Sequence, residues 1–278
     1  MSVSLPPGLD PASVRAVAMD MDRTILPSSL DLSPATLRAV GAVRRAGIEP
    51  IIATGRMFAS TRPYALQLGI TAPVICYQGA LVVDPQTQEW LLHRPIEVPA
   101  ALEVIDVVRR EGFHMNVYVD DELYVEQPSP EARTYAEHAR LEMHVVGNFD
   151  TWLQRPTTKI VIVGDSDPLD ALQDRLRERF GDRLFIAKSL PIFLEVASPG
   201  VSKGMALRFV CERLGIDPAA TIAFGDGAND LELLEAAGVG VAMADADAAL
   251  LAIADWTVPP VAQDGVASFL ELLVDSRA

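Results

Sequence analysis

Cysteine is scarce in this 278-residue chain, which has two, Cys76 and Cys211. Both sit inside apolar segments, where buried free thiols are expected, so neither a disulfide framework nor a cysteine metal site is indicated. A reducing, cytoplasmic setting fits that usage. Positive charge is also in short supply, with 23 Lys and Arg against 38 Asp and Glu and a net charge of −15. The resulting pI near 4.6 argues against holding nucleic acid or an anionic membrane by electrostatics. An anionic ligand would need local positive charge or a metal. No apolar run reaches membrane-spanning length, because the longest candidate, from Ala236 to Ala254, is interrupted by Asp245 and Asp247. Residues Met1 to Ala12 show no basic stretch followed by an apolar core, so no secretory signal is expected. Internal repeats and low-complexity tracts are missing too.

Half of the residues are hydrophobic, enough for a substantial core in one large domain or two modest ones. The pattern is organised around Val17-Ala18-Met19-Asp20-Met21-Asp22-Arg23-Thr24. An apolar run suited to a buried parallel strand ends there in two carboxylates, which the period of a strand points the same way. Two acids so close are costly to keep ionised without a partner, and a divalent cation is the economical one. Taken alone, Asp-x-Asp is more often a turn or a helix cap. Three remote islands supply what is missing: Thr54-Gly55-Arg56, Ser202-Lys203-Gly204 and Gly225-Asp226-Gly227-Ala228-Asn229-Asp230.

In chain order, the first strand is followed by a helix capped by Ser33-Pro34, a strand at 51–53, a helix at about 57–68 and a strand at 74–77. Such alternation indicates a parallel sheet with helices on both faces, the Rossmann-like α/β class. A hairpin over 81–92 follows. From there to about 197 strands come as neighbours, with helices near 100–111, 130–142 and 169–180, which suggests an inserted α+β module. The alternating rhythm resumes near Pro199. We therefore expect a discontinuous sheet domain of residues 1–95 and 198–278, with 96–197 inserted, and ligands beyond the carboxyl ends of the strands.

The four islands, in this order and around an insert of this size, resemble the motifs of the haloacid dehalogenase (HAD) superfamily. The insert resembles the large cap of its Cof-type branch. The resemblance implies an enzyme, a phosphoric monoester hydrolase. Asp20 would be the nucleophile, taking the phosphoryl group as an aspartyl phosphate, and Asp22 the acid and base. Thr54, Gly55 and Lys203 would bind phosphate. Asp20, Asp226 and the backbone carbonyl of Asp22 would hold Mg2+, with Asn229 and Asp230 supporting, Asp230 through water. Those residue types suit a transition state that is anionic and needs cations before a carboxylate can approach a phosphate dianion. Two positions depart from the Cof-type pattern: Arg23 where glycine usually stands, and Gln78 where asparagine is common.

The expected activity is Mg2+-dependent hydrolysis of a small phosphorylated metabolite, a sugar phosphate or phosphorylated cofactor, with the insert closing over the site. A sugar phosphomutase using the same intermediate is the alternative. A protein that binds a phosphorylated ligand without turnover is a third reading, encouraged by Arg23 and Gln78. In the insert, Asn116, Tyr118 and Lys159 could face a cleft, but exposed strand positions are the simpler expectation. His93, His114, His138 and His144 lack metal-ligand spacing and read as structural or exposed. Oligomeric state is not legible from the residues.

Overall fold

The structure is a computed structural model and describes residues 3–139 and 141–277. The chain runs through β1 (Ala16–Met19), α1 (Pro34–Arg45), β2 (Glu49–Ile52), α2 (Phe58–Gln67), β3 (Val74–Cys76), β4 (Leu81–Val83) and β5 (Trp90–His93). It continues through α3 (Val98–Arg110), β6 (His114–Val119), β7 (Glu122–Val125), α4 (Pro130–Ala139), β8 (Met143–Val145), α5 (Phe149–Trp152), β9 (Lys159–Val163), α6 (Ser166–Phe180), β10 (Phe185–Leu190) and β11 (Phe193–Ala197). The last stretch holds α7 (Lys203–Leu214), β12 (Thr221–Gly225), α8 (Leu231–Ala236), β13 (Val239–Met243), α9 (Ala248–Ile253), β14 (Trp256–Val258) and α10 (Gly265–Asp275). Two compact units result. One comprises Met1–Arg56, Thr61–Leu92 and Ser202–Ala278, the other Met57–Ser60 and His93–Val201.

In the first unit a five-stranded parallel sheet has the order β14-β13-β12-β1-β2. Every residue of β1 and β12 is buried, as expected of strands covered on both faces. Register decides what these strands deliver. Met19 pairs with Ile52 on one side and Phe224 on the other, so β1, β2 and β12 end at one level. Asp20, Thr54 and Asp226 each follow that edge by one or two residues. Ala53 pairs with Ile75, which continues the sheet towards β3. Ser33 caps α1 by accepting from Thr36 N at 3.0 Å, with Pro34 in the first helical position.

The second unit is a six-stranded sheet of order β10-β11-β9-β6-β7-β8, antiparallel except between β7 and β8. One face, including Met115, Val117, Ile160, Ile162, Leu194 and Val196, forms a core with α3 and α6. The strand at 143–145 and the short α5 go beyond the elements expected from the sequence. They follow in the chain the helix predicted for 130–142, which ends at Ala139; Arg140 falls outside the described residues.

The opposite face corrects an expectation. Asn116, Tyr118 and Lys159 are buried, at 0, 2 and 4 % exposure, rather than exposed strand positions. Polar partners make this tolerable: the Lys159 ammonium lies 3.2 Å from buried Glu195, the Tyr118 hydroxyl 2.6 Å from that of Tyr135 on α4, and the Asn116 carbonyl oxygen 2.9 Å from His114. His93 meets the Thr158 hydroxyl at 3.0 Å, and the side chain of His138 lies outside the described residues.

Phe224 is fully buried in β12 and edge-on to Phe269 of α10, ring centres 5.3 Å apart. Phe224→Ala should lower unfolding free energy by about 3–5 kcal/mol in denaturant titrations, the range for emptying an aromatic site in a packed core.

Candidate active site

Lys203 opens α7, behind an N-cap in which Ser202 accepts from Met205 N at 3.1 Å. A cation gains nothing from that end of a helix, and this one is fully buried, so it needs anionic partners. It has two. Its ammonium donates to Asp20 Oδ1 at 2.5 Å and to Asp230 Oδ1 at 2.6 Å. Position 203 is therefore not a solvated surface lysine. Its placement depends on a left-handed turn after β3, where Tyr77, Gln78 and Gly79 have φ of 51°, 58° and 101°. A Cβ at Gly79 would strike the carbonyl of Ser202, so glycine lets the turn seat the start of α7.

The loop leaving β12 folds back on itself through Asp230. Asp230 Oδ2 accepts from the backbone N–H groups of Asp226 and Gly227 at 3.0 and 3.1 Å. Asp230 thus touches Lys203 directly, and both its oxygens are engaged. One oxygen from each of Asp20, Asp226 and Asp230 lies within 4.8 Å of the others, and all three residues are buried. Because Asp230 is committed to Lys203 and to the loop, Asp20 and Asp226 are the carboxylates better placed to hold a cation. An all-oxygen donor set suits a hard divalent ion rather than zinc.

Burial is the largest influence on Asp20 and raises its pKa well above the ordinary carboxyl value; Lys203 pulls it down, while Asp230, Asp226 and Asp22 push it further up. Asp226 is raised to about 6, by burial first and the charge of Asp230 second, against the lowering effect of Arg23. Burial pulls the pKa of Lys203 down, but the charges of Asp20 and Asp230 hold it above the usual lysine value.

Asp22 differs from Asp20 in exposure and partner. Its carboxylate is half-exposed and held by both arms of Arg56, with Nε at 2.7 Å and Nη2 at 2.5 Å. Asp226 gains two partners from the same segment: Thr24 Oγ1 donates to Oδ1 at 3.3 Å, and Arg23 Nε lies 3.2 Å from Oδ2. Arg56 and Thr24 stand inside the Thr-Gly-Arg and Asp-x-Asp-x-Thr motifs, yet nothing in the sequence says which acid each will meet.

Thr54 is tied into the sheet and Gly55 is packed against Gln78. The Thr54 backbone N–H donates to Ile75 O at 2.9 Å, because the chain still runs beside β3, so that donor is spent within the sheet. The Thr54 hydroxyl accepts from Arg56 N at 3.2 Å and does not cap α2. Asp121 does that, accepting from the N–H groups of Phe58 and Ala59 at 2.8 and 2.6 Å. The space beside Gly55 is filled by the Gln78 amide, with which any Cβ would collide. Gln78 Oε1 in turn accepts from Asn229 at 3.0 Å, so the departure at position 78 ties Gly55 to the β12 loop.

With metal removed by a chelator, the raised Asp226 pKa has a defined consequence. The unfolded chain sheds this proton near pH 4 and the folded chain near 6, so the stabilisation it brings is complete below about pH 4 and lost as the pH rises to about 6. Comparing denaturant unfolding of wild type and Asp226→Asn in EDTA at several pH values should show the variant gaining relative stability across that window. A difference that does not change with pH contradicts this.

Residues 17–270 match the family described as haloacid dehalogenase-like hydrolase. The pyridoxal phosphate phosphatase YbhA of Escherichia coli K12 is 30% identical over 271 residues, which cover 93% of this chain and 98% of the relative. The 5-amino-6-(5-phospho-D-ribitylamino)uracil phosphatase YitU of Bacillus subtilis 168 is 28% identical over 260 residues, 92% of this chain and 96% of the relative. The crystal structure of TM0651 from Thermotoga maritima aligns with a TM-score of 0.83 at 31% identity, over 93% of this chain and 97% of that one. With its four motif segments gathered at the ends of a parallel sheet, the chain belongs to the haloacid dehalogenase-like hydrolases.

Proposed function

We propose that the protein is a Mg2+-dependent phosphatase of small phosphorylated metabolites that forms an aspartyl phosphate on Asp20. The observation that carries this reading is the Lys203 ammonium bridging Asp20 and Asp230, with Asp226 beside them. Asp20, Asp226 and the backbone carbonyl of Asp22 would hold Mg2+, which when bound supplies positive charge to the phosphoryl oxygens.

The side chains account for the rest. An Asp20 oxygen attacks phosphorus while the bond to the ester oxygen breaks, and Asp22 gives that oxygen its proton. Water then attacks the phosphorus, Asp22 takes up the proton of that water, and the bond from phosphorus to Asp20 opens to release phosphate. Lys203 offsets charge on Asp20 and on the phosphoryl oxygens throughout. The Thr54 hydroxyl is the group of that residue left to donate to phosphate. Asp22, gripped by Arg56, must give up at least one of those hydrogen bonds to carry a proton. Relatives named for pyridoxal phosphate and for a phosphoribityl compound support a phosphomonoester substrate and make pyridoxal phosphate a natural first choice for assay.

Phosphate release from a panel of phosphorylated metabolites should require Mg2+ and stop on adding EDTA. Asp20→Asn should abolish release while the chain melts as a folded protein; activity retained within about tenfold, roughly 1.4 kcal/mol of barrier, excludes a covalent path through Asp20. Asp22→Asn should also halt turnover, but with the nucleophile intact, so that rapid quenching after mixing with substrate recovers phosphoenzyme.

A further inference from the structure

Arg23 stands where the backbone suits it poorly. Its φ is 61°, a conformation that glycine takes without steric cost and arginine does not. From there the side chain crosses to two neighbouring loops. Nε lies 3.2 Å from Asp226 Oδ2, and Nη2 donates to the carbonyl of Asp245 after β13 at 3.4 Å. The partners differ in freedom: the Asp226 side chain is 8% exposed and that of Arg23 56%. The guanidinium can swing into solvent, whereas the carboxylate cannot follow it.

The cluster therefore divides three acids between two cations. Lys203 serves Asp20 and Asp230, and Arg23 serves Asp226. Since Oδ1 of Asp226 takes the Thr24 hydroxyl, Arg23 lies against the other oxygen, which a bound cation would also seek. We propose that Arg23 is a tethered cation that competes with the divalent metal for Asp226, weakening metal affinity and relieving repulsion in the metal-free cluster. This rests on the reading of Asp226 as a metal ligand. A guanidinium and a divalent ion on the same carboxylate repel, so an arriving ion must displace Arg23. Arg23 is itself more than half exposed and the arriving ion replaces its charge on Asp226, so affinity is lowered rather than abolished.

The test is calorimetric titration of Mg2+ alone into the full chain, stripped with EDTA, as wild type, Arg23→Gln and Asp226→Asn. Glutamine keeps a polar side chain at the same left-handed position and removes the charge together with the guanidinium contacts. Arg23→Gln should bind Mg2+ about tenfold tighter than wild type, the scale expected when a nearby like charge is removed. In EDTA it should melt below wild type, and saturating Mg2+ should close that gap. Mg2+ affinity equal to or weaker than wild type in Arg23→Gln overturns the proposal. If Asp226→Asn has lost Mg2+ binding at the same time, only the role of Arg23 fails; if Asp226→Asn binds as wild type does, the reading of Asp226 as a ligand fails with it.

Discussion

The first unit depends on one buried ammonium. Three carboxylates sit together at the end of a parallel sheet, out of water, and their mutual repulsion opposes folding. Lys203 is fully buried between two of them, and each neighbouring element can be read as a means of holding it there. Ser202 caps the helix that carries it, the left-handed turn at 77–79 seats that helix, and Asp230 binds both the ammonium and the loop that presents Asp226. The arrangement leaves net negative charge near Asp20 and Asp226, as a site for a hard cation requires.

Much of this was legible because the polar residues interrupt apolar strands. Asp20 ends a run of buried residues, Thr54 and Asp226 do the same two strands apart, and a parallel sheet with ends in register must bring such interruptions to one edge. What could not be read is the choice of partner among nearby groups of like chemistry. That Arg56 would take Asp22 while Arg23 takes Asp226 depends on side-chain paths through space, to which chain order gives no access. The cap of α2 is a similar case, since Asp121 lies far along the chain from Phe58 and Ala59.

The second unit misled for another reason. His114, Asn116 and Tyr118 alternate with Met115, Val117 and Val119, and that alternation ordinarily marks a strand with one wet face. Here α4 packs on β6, and the polar side chains pair among themselves, with Lys159 against Glu195 and Tyr118 against Tyr135. Periodicity reports which residues share a face. It does not report what covers that face.

The pairing of β1 with β12 also bears on how the chain is made. β1 lies inside its sheet, between β2 and β12, yet the strand on one side of it emerges from the ribosome only after the whole second unit has been translated. Until Phe224 exists, Met19 presents an unpaired edge on that side, the kind of surface that chaperones shield and that aggregation exploits. The second unit, with its own core, meets no such delay, so nascent chains stalled before residue 221 would carry a finished insert on an unfinished host.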